Sequence, residues 1–166
     1  MTGAARRHAL AVMTMLYTHR TLLRYPLNDL RAAWDAQSWQ LTEQQAATLL
    51  GQGGHMQSDC SQTCAWILKC VGCWPWPWPG YTGSHLQTIH PWYTDARAAE
   101  VGALVVFGPG TGHHEAIVHT PDPRHGDPLL GSHGRPGYDL VKLSVLAASQ
   151  AAEGFPGVRL LSVADL

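Results

Sequence analysis

The run Cys73-Trp-Pro-Trp-Pro-Trp-Pro-Gly splits this chain into two unlike parts. A proline at every second position removes backbone donors and forbids helix, so the segment must be extended and stiff. Before it the sequence is helical in pattern. Leu10, Met13, Leu16, Tyr17 and Leu23 recur near one face of a predicted helix from Arg6 to Leu23. Tyr25-Pro26 interrupts it, and Asn28 or Asp29 caps a short predicted helix through Trp34. Thr42 with Gln45 forms a capping box for a helix through Leu50, which Gly51-Gln-Gly-Gly stops. After the proline run the pattern changes to short apolar stretches between Gly, Pro and Asp clusters. These predict strands at Val101–Phe107, Glu115–Thr120 and Leu129–Ser132, with further strands at Leu140–Leu143 and Arg159–Val163. Thr88–Trp92 reads as a short extended connection, and Ala147–Glu153 is too short to assign. Helices followed by closely connected strands predict an α+β domain with a mostly antiparallel sheet.

With 166 residues the chain has enough length for one domain with a real core. There is no obvious linker. The expected organisation is a single domain, 1–166, with a helical part over 1–50 and a catalytic core over 51–166. A formal charge of −1 gives no global basic field, which argues against nucleic acid as a partner. No stretch is long and apolar enough to insert in a membrane. Arg6-Arg7 and the apolar residues after them faintly mimic a signal peptide, but no small-residue cleavage site follows, so the segment reads as a folded amphipathic helix.

The helix expected to start at Cys60 carries the chemistry. Ser58 or Asp59 can cap it, which places Cys60 in the first turn, where unpaired N–H groups and the macrodipole favour a thiolate. On its own such a cysteine reads as a buried core thiol. Far downstream, however, Gly112-His113-His114-Glu-Ala-Ile-Val supplies a histidine at a strand start, and Cys with a distant His is the pattern of a cysteine hydrolase. A strand from His114 puts His114, Ala116 and Val118 on one face, with Ala116 small enough for the cysteine helix to pack. Cys64 lies one turn deeper and reads as core. The four cysteines Cys60, Cys64, Cys70 and Cys73 crowd one segment, unlike a disulfide framework. A four-thiolate zinc site is the rival reading, with His55, His113, His119 and His125 as further candidate ligands. A continuous helix between the cysteine pairs makes convergence awkward. The expected metal content is none.

Taken in order, these motifs resemble the NlpC-type cell-wall cysteine peptidases, a circularly permuted branch of the papain-like fold. Asp59-Cys60-Ser61 is similar to the family's Asp-Cys-Ser helix start. Val101-Gly-Ala-Leu-Val-Val-Phe-Gly resembles its Gly-Asp-Leu-Val-Phe-Phe strand, with Ala103 in place of the acid. His114-Glu-Ala-Ile-Val resembles its His-Val-Gly-Ile-Tyr, which selects His114 over His113. Leu129-Leu-Gly-Ser-His133-Gly matches the strand bearing its third polar residue. The glycine-rich segments around His113 and His133 look most like actinobacterial phage versions. The resemblance spans roughly Gly51 to Leu143. The family's Tyr-x-Trp-Gly-Gly turn is replaced by Leu50-Gly-Gln52-Gly-Gly, so its site tyrosine is missing or comes from elsewhere. Gln62 stands where glycine is common, and Glu115 is unusual beside the base.

The resemblance implies a papain-like fold with N-terminal helices and a nucleophile helix packed on the sheet. It implies a peptidoglycan hydrolase, an endopeptidase or amidase cutting a stem-peptide amide, with Cys60 as nucleophile, His114 as base, His133 orienting His114, and no cofactor. Gln52, Asp59, Ser61 and the ladder Trp74, Trp76, Trp78 are the expected substrate contacts. The expected partner is bacterial peptidoglycan, with other phage virion or lysis proteins besides. The enzyme would be made in the host cytoplasm and reach the wall by a phage route, or ride in the virion. Acyl transfer, deamidation by the same triad, a phage structural module that kept the fold, and a zinc-held interaction module are the alternatives.

Overall fold

The computed structural model describes residues 1–25, 38–90 and 92–164. The sequence expectation for a helix from Asn28 or Asp29 to Trp34 lies outside the described residues. Helix α1 (Gly3–Thr18) is capped by the Thr2 hydroxyl and buries Ala9, Val12, Met13 and Leu16. A 3-10 turn at Arg20–Leu22 leads into strand β1 (Leu23–Arg24). Helix α2 (Glu43–Gly51) begins with the expected capping box, both Thr42–Gln45 bonds being present. Strand β2 (Met56–Gln57) pairs in parallel with β1, which brings Tyr25 beside the chain entering the cysteine helix. Helix α3 (Cys60–Cys70) follows. No helix among the described residues is long and apolar enough to cross a membrane.

After the tryptophan–proline run comes helix α4 (Thr82–Thr88) and then strand β3 (Trp92–Tyr93). The sequence reading missed α4 because Thr82-Gly-Ser-His-Leu-Gln-Thr is short and poor in strong helix formers. Its first turn is set locally, by Ser84 Oγ accepting the Tyr81 N–H and donating to the Tyr81 carbonyl. Strands β4 (Leu104–Phe107), β5 (His114–Thr120), β6 (Leu129–Gly134) and β7 (Gly137–Lys142) follow, then helix α5 (Leu143–Ala152) and strand β8 (Val158–Leu161). The predicted Val101 start is displaced because Gly102 takes φ +87° in a turn. The predicted Leu140 strand begins earlier, and the unassigned Ala147 segment belongs to α5.

The main sheet runs in the order β3-β8-β4-β5-β6-β7, with every neighbouring pair antiparallel. The chain is therefore an α+β protein with an antiparallel sheet. Both faces of the sheet are covered. Leu104, Val106, Ile117, Tyr138 and Leu161 pack with α1 and with Cys64, Ala65, Ile67 and Leu68 of α3. Val105, Phe107, Ala116, Val118, Leu130 and Leu160 pack with Leu143 of α5 on the other side. Central strands buried on both faces read as continuous apolar runs, as Leu104-Val-Val-Phe does. Each large apolar side chain so buried contributes about 1.5–3 kcal/mol. This packing corrects one expectation: Ile117, not Ala116, faces α3, and Ala116 faces α5.

Candidate active site

Asp59 is the N-cap of α3. Its Oδ1 accepts from the Gln62 N–H at 2.9 Å and from Ser61 Oγ at 2.9 Å, while Gln62 Oε1 accepts the Asp59 N–H at 3.1 Å. Gln62 thus completes a capping box, a structural reason for glutamine at that position. Cys60 is the first helical residue, as expected. It lines a cleft of about 160 Å³ built from four segments: Tyr25, Asp59–Ser61, Tyr81–Gly83 and Thr111–His113. The wall depends on two glycines. A Cβ on Gly83 would lie 2.6 Å from the Tyr81 ring, and one on Gly112, at φ +80°, 2.7 Å from Thr82 Cγ2. Only glycine lets α4 approach the β4–β5 loop this closely.

An aromatic side chain from elsewhere in the chain, Tyr25, reaches the sulfur. Its hydroxyl donates to Cys60 Sγ at 3.8 Å, from a residue far upstream in the chain. Burial pushes the Cys60 thiol up to about 12, and the charges of Asp59 and Glu115 add to it, against the Glu115 backbone N–H and the Tyr25 hydroxyl. Desolvation thus outweighs the pull of the helix N-terminus toward a thiolate.

His114 is buried at the start of β5, with Nε2 2.8 Å from Ser132 Oγ. Burial, then the neighbouring His113, lowers its pKa to about 4, so the ring is neutral at pH 7. No hydrogen bond among the described residues engages its Nδ1 or joins it to Cys60. The register explains the Ser132 contact. Ala116 pairs with Ser132, so Ser132 shares the face of His114, while His133 points to the opposite face, with Glu115 and Ile117. The expected contact of His133 with the His114 ring is therefore corrected: Ser132 makes it. His133 instead bonds Thr63 Oγ1 at 2.8 Å and Ser58 Oγ at 3.3 Å through Nδ1, tying β6 to the start of α3. Burial lowers its pKa to about 4 as well. His113 is exposed, lines the cleft and stacks on Phe155 with centroids 3.4 Å apart.

Of the expected substrate contacts, Asp59 and Ser61 line the cleft. Gln52 does not; it is the C-cap of α2 and exposed. The tryptophans also lie off the cleft. Trp74 is buried and donates its indole N–H to the Trp78 carbonyl at 2.9 Å. Trp76 is half-buried against Trp74, and Trp78 is 45% exposed. Prolines orient alternate residues, and the local carbonyl bond pulls Trp74 inward. Tyr81, 47% exposed, is with Tyr25 an aromatic residue at the cleft that sequence reading missed. All four cysteines are free thiols. Among the described residues no three His, Cys, Asp or Glu side chains are grouped to hold a metal ion. No protein-family model, curated protein or solved structure matches the chain.

Proposed function

We propose that this chain is a cysteine hydrolase of the NlpC-type, papain-like class that cuts an amide bond in the stem peptide of bacterial peptidoglycan, as a phage lytic or virion-associated enzyme. One observation carries the reading: a helix-start cysteine in an open, hydroxyl-lined cleft, with Tyr25 on its sulfur. A strand-start imidazole held on one nitrogen by Ser132 supplies the base.

The chemistry follows from protonation states. A neutral thiol needs a neutral base, and His114 is neutral at pH 7. His114 Nδ1 takes the thiol proton as Sγ bonds to the carbonyl carbon. The carbonyl electrons move to oxygen, where the Cys60 backbone N–H at the helix start donates to the oxyanion. As the C–N bond breaks, the imidazolium returns its proton to the leaving amine. Water, deprotonated by the same ring, then hydrolyses the thioester. Ser132 fixes the ring, a task any hydroxyl acceptor on that face can perform. Hydrogen bonds of this kind often tighten only with substrate bound. His113 is the second candidate for the base, because it lines the cleft beside Cys60, whereas the register sets His114 with Ala116 on the face away from α3. Acyl transfer and deamidation pass through the same thioester and differ only in the acceptor or leaving group.

Digestion of purified sacculi followed by mass spectrometry of the soluble products tests this. The expected result is new amine and carboxyl ends within stem peptides, with glycan reducing ends unchanged. Products altered only in the glycan, or none at all, would reject the assignment.

A further inference from the structure

The resemblance leaves one buried acid unexplained. Glu115 lies inside β5, fully buried, where the similar motif carries valine. Its carboxylate meets His85 of α4, also buried, with His85 Nδ1 2.8 Å from Oε1 and 3.0 Å from Oε2. The other ring nitrogen, Nε2, lies 2.8 Å from the Pro79 carbonyl. A carbonyl only accepts, so Nε2 carries a hydrogen. Nδ1 then shares a second proton with the carboxylate, and the imidazolium–carboxylate form satisfies both contacts at once. The Trp74 ring closes the other side, edge-on with centroids 4.8 Å apart.

We propose that His85 and Glu115 are a positioning pair, in which the imidazolium neutralises a carboxylate buried beside Cys60 and fixes the cleft wall of α4 on the strand that bears His114. Glu115 touches both sides of the site. Its charge bears on the Cys60 thiol, and its side chain holds α4, whose Thr82 and Gly83 form the wall. The charged and titratable groups facing the pair are Asp59, the N-cap of α3, and Cys60 and Cys64 of that helix. An uncompensated Glu115 charge opposes a thiolate at Cys60, and His85 offsets that charge. The role rests on Cys60 acting as the nucleophile, and it makes Glu115 and His85 specific to this site's tuning rather than to substrate contact.

The test is alkylation of Cys60 by iodoacetamide at pH 6.5, where His85 holds its proton, read at the Cys60 peptide by mass spectrometry, in wild type, E115Q and H85N. Glutamine keeps the contact to His85 by offering its amide N–H to Nδ1. H85N, which leaves the carboxylate uncompensated, is expected to alkylate about threefold slower, a shift of about half a pKa unit, whereas E115Q, which exchanges one net-neutral pair for another, should stay within twofold of wild type. A purely structural role would loosen the site in both variants and speed both. An H85N rate within twofold of wild type, or faster, overturns the proposal. Should H85N lack a cooperative melt, E115Q decides against wild type across pH: its rate should draw ahead of wild type as pH rises and His85 loses its proton, and a ratio that stays constant with pH overturns the proposal. The readout needs no wall hydrolysis, so it decides the pair's role even where the sacculus assay rejects the hydrolase reading.

Discussion

The Tyr25 hydroxyl lies 3.8 Å from Cys60 Sγ, although the two are separated by 35 residues of chain. The parallel pairing of Leu23 with Met56 and of Arg24 with Gln57 creates this contact. The hydroxyl favours negative charge on the sulfur, as one of the interactions lowering its pKa. Tyr25→Phe removes the donor and keeps the ring. The expected result is a roughly tenfold loss of kcat with Tm nearly unchanged, in line with removal of one site donor. Steady-state kinetics on a soluble stem peptide, with a thermal melt, checks it. Unchanged kcat would remove Tyr25 from the site.

Ser132 and His133 are adjacent but face opposite ways, so their variants should separate. Ser132→Ala frees the His114 ring, and kcat should fall roughly tenfold or more with little loss of stability. His133→Ala strips Thr63 and Ser58 of a buried partner and should cost about 1–3 kcal/mol, as unsatisfied buried groups do. Chemical denaturation and kinetics on both variants check this pair. The reverse pattern would restore His133 as the orienting residue. In the same series His114→Ala should abolish turnover and His113→Ala should only weaken it. Greater loss in His113→Ala would move the base by one residue.

Stability should peak near pH 6.5 through three histidines. His114 and His133 have pKa values lowered from 6.5 to about 4, so between those values the unfolded chain binds protons that the fold refuses. Their contribution is complete above pH 6.5 and is lost as pH falls toward 4. His85 runs the other way. Burial pulls its pKa down, but Glu115 outweighs this and raises it above 6.5. Its contribution is complete below pH 6.5 and is lost as pH rises through the raised value. Melting temperature measured across pH checks the dome, and H85N should flatten its alkaline side.

Much of the fold was legible because it is locally encoded. The Thr42–Gln45 capping box, the Asp59 cap and the starts of the β5 and β6 strands depend on residues within a turn of each other. What was not legible is long-range. Nothing near Cys60 announces Tyr25, and nothing near His114 tells whether Ser132 or His133 shares its face, because the register is set by pairing across strands. The His85–Glu115 contact joins an unpredicted helix to a strand interior. The balance at the Cys60 thiol was not legible for a related reason. Helix position is visible in sequence, whereas the depth of burial that outweighs it is a property of the whole fold.

The tryptophan ladder should divide by burial. Trp74→Ala opens a hole beneath His85 and should cost about 3–5 kcal/mol, the range for a buried aromatic truncation. Trp78→Ala, at 45% exposure, should leave Tm within a few degrees and weaken retention on purified sacculi. Pull-down and melts on the two variants check this. Equal Tm losses would show that Trp78 is also core, and the wall-contact role would be withdrawn.

Cys60 as nucleophile is the central claim, and turbidity clearing of purified sacculi by wild type and by Cys60→Ala tests it most directly. The variant should keep the wild-type melt, since a helix-start thiol at the cleft contributes little packing, and should lose clearing entirely. Cys64→Ala, run beside it, should clear the walls and lose about 1–3 kcal/mol of stability as a truncated core side chain. Clearing by folded Cys60→Ala at a rate near wild type would contradict the account.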